Sequence, residues 1–109
     1  MLGSVLAELL EIIGHHVCGV YTTAAATVTG ALSDRPDLML VDAHLGQESG
    51  LAATAEILAQ VYIPHIFMSG DLSTLKALRE TAITLEKPFQ EPALDQAIAA
   101  AMAQPRPQR

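Results

Sequence analysis

Residues 37–42 read Asp37-Leu38-Met39-Leu40-Val41-Asp42. The apolar run between the two acids has no period of two, so neither of its faces is built for water. Strands of this kind occur in parallel sheets, where crossover helices cover both faces. The stretch predicts an α/β domain with Asp42 at the carboxyl end of a buried strand.

Upstream, Ser33-Asp34-Arg35-Pro36 breaks an Ala-rich helix that runs to about residue 32. Thr22 and Thr23 are its candidate caps. Before them, residues 16–20 form a short β-prone run. Over residues 4–13, Val5, Leu6, Leu9, Leu10, Ile12 and Ile13 recur at helical spacing, with Glu8 and Glu11 turned outward and Gly14 as a stop. Downstream come a loop carrying Gly46 and Gly50, a helix over 51–60, and a strand over 63–69 ended by Ser69-Gly70-Asp71. A helix over 72–80, a strand over 82–85, the turn Lys87-Pro88-Phe89 and a helix over 92–103 complete the pattern, with Pro92 near the last helix's first turn. Helices and strands alternate strictly, which implies a parallel sheet with right-handed crossovers. The expectation is one domain over residues 1–104 and a disordered polar tail over 105–109.

At 109 residues the chain has room for one domain with its own core. Two Phe, two Tyr and no Trp leave that core aliphatic and Ala-rich. A net charge of −6 argues against a nucleic-acid partner, which needs a basic patch. It offers no basic face for anionic lipid either. Cys18 is the single cysteine, so no internal disulfide forms and a reducing compartment fits. Glu8 and Glu11 interrupt the apolar N-terminal stretch and no basic region precedes it, which excludes a signal peptide or a membrane span there. The expected location is the cytoplasm.

In open parallel sheets, functional groups gather beyond the carboxyl ends of the strands. Asp42, Ser69 and Lys87 each close a different hydrophobic run. A carboxylate, a hydroxyl and an ammonium on one rim suit phosphoryl transfer to a carboxylate. The Asp oxygen is the nucleophile, the lysine pairs with phosphoryl oxygens, and the hydroxyl bonds the phosphoryl group and reports it by moving. Gly70 leaves the backbone room to rearrange.

With these residues in place, the chain resembles a response-regulator receiver domain of the bacterial two-component systems. The resemblance rests on Arg35-Pro36-Asp37-Leu38-Met39-Leu40-Val41-Asp42, Ser49-Gly50-Leu51, Ile66-Phe67-Met68-Ser69-Gly70 and Glu86-Lys87-Pro88-Phe89, and runs from Ser4 to about Met102. It implies a CheY-like, flavodoxin-like doubly wound sheet. It further implies that Asp42 is the phosphoacceptor, Ser69 the switch hydroxyl, Lys87 the phosphate-pairing lysine, and that a cis peptide precedes Pro88. The metal ligands it implies are Asp42 and the backbone carbonyl of His44, for Mg²⁺.

Two departures from the family's pattern are visible. Receivers begin with a strand ending in acidic residues that hold Mg²⁺, whereas this chain starts at what reads as the first helix. Mg²⁺ wants several oxygen ligands in near-octahedral geometry, so it is expected to bind weakly or not at all. The absent strand is central in the family's 2-1-3-4-5 order. Its loss exposes strand flanks, so the chain must close the gap, borrow a strand or form a homodimer. Met1 is expected to be an internal methionine of a longer protein, because Asp42, Ser69 and Lys87 are all present; a naturally degenerate domain is the other account. The second departure is Thr84, where many receivers carry a rotating aromatic ring.

Each residue also has a plainer reading. Asp is common at strand ends, and Ser69 and Lys87 could be ordinary surface groups; their company makes these readings weaker. His15, His16, His44 and His65 match no standard zinc spacing, and Cys18 reads as a small buried hydrophobe. Asp71 reads as a solvated helix cap, and Met39, Met68 and Met102 as core filler.

The expected function is a single-domain response regulator, not an enzyme in the ordinary sense. It would accept a phosphoryl group on Asp42 from a histidine kinase or phosphotransfer protein and act on a downstream protein through the face of its last helices and strand. The alternative is a degenerate, phosphate-independent interaction or dimerisation module. A small flavodoxin-like binding domain or enzyme fragment is disfavoured, because no Gly-rich phosphate loop follows a strand and no His or Cys sits beside a base.

Overall fold

The computed structural model describes residues 3–45 and 47–105. Gly46 of the expected loop, and the expected tail beyond Pro105, lie outside the described residues.

Helix α1 (Gly3–Ile12) lays Leu6, Leu9 and Leu10 against the core, joined by Ile13. Gly14, at φ 102°, ends it in the left-handed region where a side chain is strained. Helix α2 (Ala24–Asp34) starts on Thr23, whose hydroxyl accepts the Ala26 N–H. It runs two residues past the expected end, because Arg35 takes a left-handed cap at φ 47° and donates its N–H to Ala31 O. Strand β1 (Met39–Asp42) follows, then a small hairpin of β2 (His44–Leu45) and β3 (Glu48–Ser49). The remainder is helix α3 (Gly50–Leu58), strand β4 (His65–Ser69), helix α4 (Leu72–Leu78), strand β5 (Thr84–Glu86) and helix α5 (Glu91–Ala103).

Strands β1, β4 and β5 form a parallel sheet in the order β1-β4-β5. Met39 stands opposite His65, and Phe67 opposite Thr84. Side chains alternate across the pleat and build two cores. Met39, Val41 and Phe67 pack with Ala31 of α2 and Ile57 of α3. On the other face Ile66, Met68 and Leu85 meet Leu94, Ala97, Ile98 and Ala101 of α5, with α1 laid over them.

Residues 16–20, expected as a strand, form none: residues 15–22 cross irregularly from α1 to α2. A strand exists only through its ladder, and this run pairs with no described strand. β1 accordingly pairs only with β4 among the described residues. A cavity of about 730 Å³ opens along its other side, lined by α1, by Leu38, Leu40 and Asp42, and by residues 15–22. Cys18, expected to be buried, is exposed because it lies on this unpaired crossing. Met102, expected in the core, is half exposed on the outer face of α5.

Candidate functional site

Asp42 is the last residue of β1, Ser69 the last of β4, and Lys87 follows the last residue of β5. The parallel sheet therefore delivers all three to one rim, as their strand-end positions predict. The Lys87 ammonium donates to Asp42 Oδ2 at 2.6 Å, with side-chain exposures of 22% and 31%. The other carboxylate oxygen, Oδ1, accepts the His44 N–H at 3.1 Å. The pair is half-buried, so solvent reaches it from the rim.

Lys87 is held from both sides. Its N–H donates to Ser69 O at 2.9 Å, continuing the β4–β5 ladder by one bond. Its own peptide to Pro88 is cis, as the resemblance implies. Ser69 is buried, and its Oγ accepts the Asp71 N–H at 3.0 Å. Asp71 in turn caps α4 by accepting from Ser73 N–H, Ser73 Oγ–H and Thr74 Oγ1–H. These bonds hold its carboxyl below the usual carboxylate range, with Thr74 the largest cause. A change at the Ser69 hydroxyl is thus felt at the start of α4 through one backbone amide.

The structural roles of two further residues come only from the fold. Gly50 begins α3 and donates its N–H to Ala43 O at 2.9 Å. A Cβ there would overlap the Asp42 carbonyl oxygen, so only glycine lets α3 start this close to the site. Glu48, on the hairpin, accepts the Ala24 N–H at 2.9 Å and ties that hairpin to the start of α2. Both roles depend on a long-range approach that the sequence does not display. Ser49 caps α3 by accepting from Ala52 N–H.

Among the described residues no three His, Cys, Asp or Glu side chains converge. At the site itself, Asp42 supplies one carboxylate whose oxygens already engage Lys87 and His44. Mg²⁺, a hard cation that needs several oxygen ligands, is poorly matched by this set. The histidines stand apart: His65 bonds Ile63 O and packs edge-on to Phe67, and His16 lies 3.9 Å from Glu11. No described helix is long and apolar enough to cross a membrane.

An open parallel sheet with Asp, Ser and Lys at three successive strand ends defines an α/β domain of the CheY-like class. No protein-family model and no curated protein matches the chain. Solved structures do. The receiver domain of the Erythrobacter litoralis response regulator PhyR is 27% identical, with a TM-score of 0.83 over 97% of this chain and 85% of that one. The receiver domain of a modulated diguanylate cyclase from Desulfovibrio desulfuricans G20 is 32% identical, with a TM-score of 0.76 over 92% of this chain and 83% of that one. A CheY-like receiver domain from Methylobacillus flagellatus, 21% identical with a TM-score of 0.78 over 91% and 87% of the two chains, shares the fold. The chain belongs to the response-regulator receiver family of two-component systems.

Proposed function

We propose that this receiver takes a phosphoryl group on Asp42. The observation that carries the reading is the Lys87 ammonium seated on Asp42 Oδ2, with the Ser69 hydroxyl on the adjacent strand end of the same rim. The donor would be a phosphohistidine of a kinase or phosphotransfer protein. An Asp42 oxygen attacks phosphorus, the P–N bond breaks with its electron pair going to the imidazole, and the leaving imidazole takes a proton from solvent. The product is an acyl phosphate. Phosphoryl transfer is catalysed mainly by positioning and charge, so the ammonium is the group that meets the transferred oxygens.

Ser69 would then turn its hydroxyl toward the phosphoryl group and weaken its bond to the Asp71 N–H. That loosens the cap of α4 and changes the face made by α4, β5 and α5. Thr84, on β5, has no ring to rotate, so the readout runs through α4. A downstream protein on that face is the expected partner.

A second reading, a phosphate-independent interaction module, is favoured by one observation: no cluster of carboxylates accompanies Asp42 among the described residues. Intact-mass measurement after incubation with acetyl phosphate and Mg²⁺, beside an Asp42→Asn control, separates the two. An adduct of one phosphoryl group on the parent and none on the control supports phosphotransfer. An unmodified parent leaves the module.

A further inference from the structure

The first turn of α2 has no acid of its own. It reads Ala24-Ala25-Ala26, and its cap, the Thr23 hydroxyl, serves the Ala26 N–H. A helix N-terminus carries unsatisfied amides and a partial positive charge, which a carboxylate of the first turn often meets. Here the carboxylate comes from 24 residues away, where Glu48 Oε1 accepts the Ala24 N–H at 2.9 Å.

Glu48 stands on the hairpin that also carries His44. Leu45 pairs there with Glu48, and His44 with Ser49. Each strand is two residues long, too short to keep a fixed shape alone. The base of the hairpin is tied to the sheet, through Ala43 N–H to Met68 O and Gly50 N–H to Ala43 O, both at 2.9 Å. The Glu48–Ala24 bond fastens its turn end to α2.

This hairpin matters to the site because its first residue meets Asp42. The His44 N–H donates to Asp42 Oδ1 at 3.1 Å, while the Lys87 ammonium donates to Oδ2 at 2.6 Å. The two donors together fix the rotation of the carboxylate about its Cβ–Cγ bond. Lys87 reaches it on a long side chain, so the orientation depends on the amide, and the hairpin places the amide.

We propose that Glu48 is a positioning residue for Asp42. Clasped to the first turn of α2, it steadies the hairpin, holds the His44 amide on Oδ1 and presents the carboxylate to phosphorus in one orientation. The inference rests on the reading of Asp42 as the phosphoacceptor, and adds to it a residue that acts through the His44 amide. Reaction rates are sensitive to such placement: a shift of about 1 Å can cost on the order of 100-fold.

Three variants of the intact chain test it. Glu48→Ala removes the acceptor, and Glu48→Gln keeps an oxygen in its place. Ala24→Pro removes the donor and leaves the helix standing. Proline is favoured at a first helical position, and Thr23, extended at φ −122° and ψ 157°, already has the conformation a following proline requires. Two readouts are followed: the amide proton resonance of His44, and the rate of phosphoryl labelling at Asp42 by acetyl phosphate with Mg²⁺. A hydrogen bond to a carboxylate moves an amide proton downfield. Glu48→Ala and Ala24→Pro should therefore each shift the His44 resonance upfield, toward its position in Asp42→Ala, and slow labelling by roughly tenfold. Glu48→Gln should keep most of both. Combining Glu48→Ala with Ala24→Pro should add nothing further, because each removes the same bond. A Glu48 that only braced the fold would lower the urea midpoint without moving the His44 resonance. That result, or labelling as fast as the parent's, would overturn the proposal. A parent that takes no label would overturn the phosphoacceptor reading instead, and the His44 resonance would then decide the positioning by itself.

Discussion

Leu94 on α5 and Ile12 on α1 are aliphatic residues on two helices that share one face of the sheet, yet they are 0% and 79% exposed. α5 lies over β4 and β5, where a strand sits beneath every turn, and it sinks Leu94, Ala97, Ile98 and Ala101 into the core. α1 lies toward the open side of β1, so the support beneath it is incomplete. Four apolar residues of its stretch are half-buried and two, Val5 and Ile12, stay in water. A helix's apolar stripe is therefore as useful as the ladder under it. The paired half of this domain encloses its apolar residues, and the open half leaves some of its own in water.

That contrast can be broken by measurement. Leu94→Ala should remove about 2–5 kcal/mol of unfolding free energy, because a fully enclosed leucine leaves a cavity; urea titration reads it. Should Ile12→Ala cost as much, the two halves would be equally well packed and the contrast would fail. Gly50→Ala places a methyl on the Asp42 carbonyl oxygen. It should cost about 1–3 kcal/mol by forcing the start of α3 away, and it should also lower phosphoryl labelling at Asp42, which intact mass would register.

Lys87→Met tests how much the Asp42 pair itself holds the fold. With both side chains partly in solvent, the loss should be no more than about 1 kcal/mol. A larger loss in a double-mutant cycle with Asp42→Asn would make the pair structural and weaken its reading as a site kept for chemistry. The cap of α4 should respond to acid. The carboxyl of Asp71 is held below its usual range, so its contribution is present above the unfolded-state pKa and disappears as pH falls through the lower, folded-state value. The protection factor of the Ser73 amide, corrected for intrinsic exchange, should therefore fall at acid pH before that of Ile66 does. Equal onset would show that α4 does not open on its own. Smallest of all, Ile12→Ser should change stability by less than about 0.5 kcal/mol, as exposed substitutions do.

The placement of the three candidate residues on one rim was readable almost whole. Asp42, Ser69 and Lys87 end hydrophobic runs, and a parallel sheet puts the carboxyl ends of its strands on one edge, so their meeting follows from local pattern and one topological rule. What could not be read were groups whose role depends on approach from a distance. Gly50 stands in a stretch that the resemblance marks, but the close approach that requires a glycine shows only when α3 is set against β1, and Glu48 looks like a solvated acid until it meets the amide of Ala24. The run over residues 16–20 was misread for the complementary reason. Its β-prone residues specify what a strand would contain, but pairing needs a neighbour that the run does not supply.

By itself, then, the sequence determined the five helices, the three strands of the parallel sheet, and which three polar side chains stand at their ends, because apolar periodicity and chain alternation are local properties. Tertiary structure alone decided the irregular path of residues 15–22, the exposure of Cys18 and Ile12, and the approach of Gly50 to the site. The physical reason is that hydrogen-bond ladders and burial belong to pairs of segments, and no segment carries its partner in its own composition.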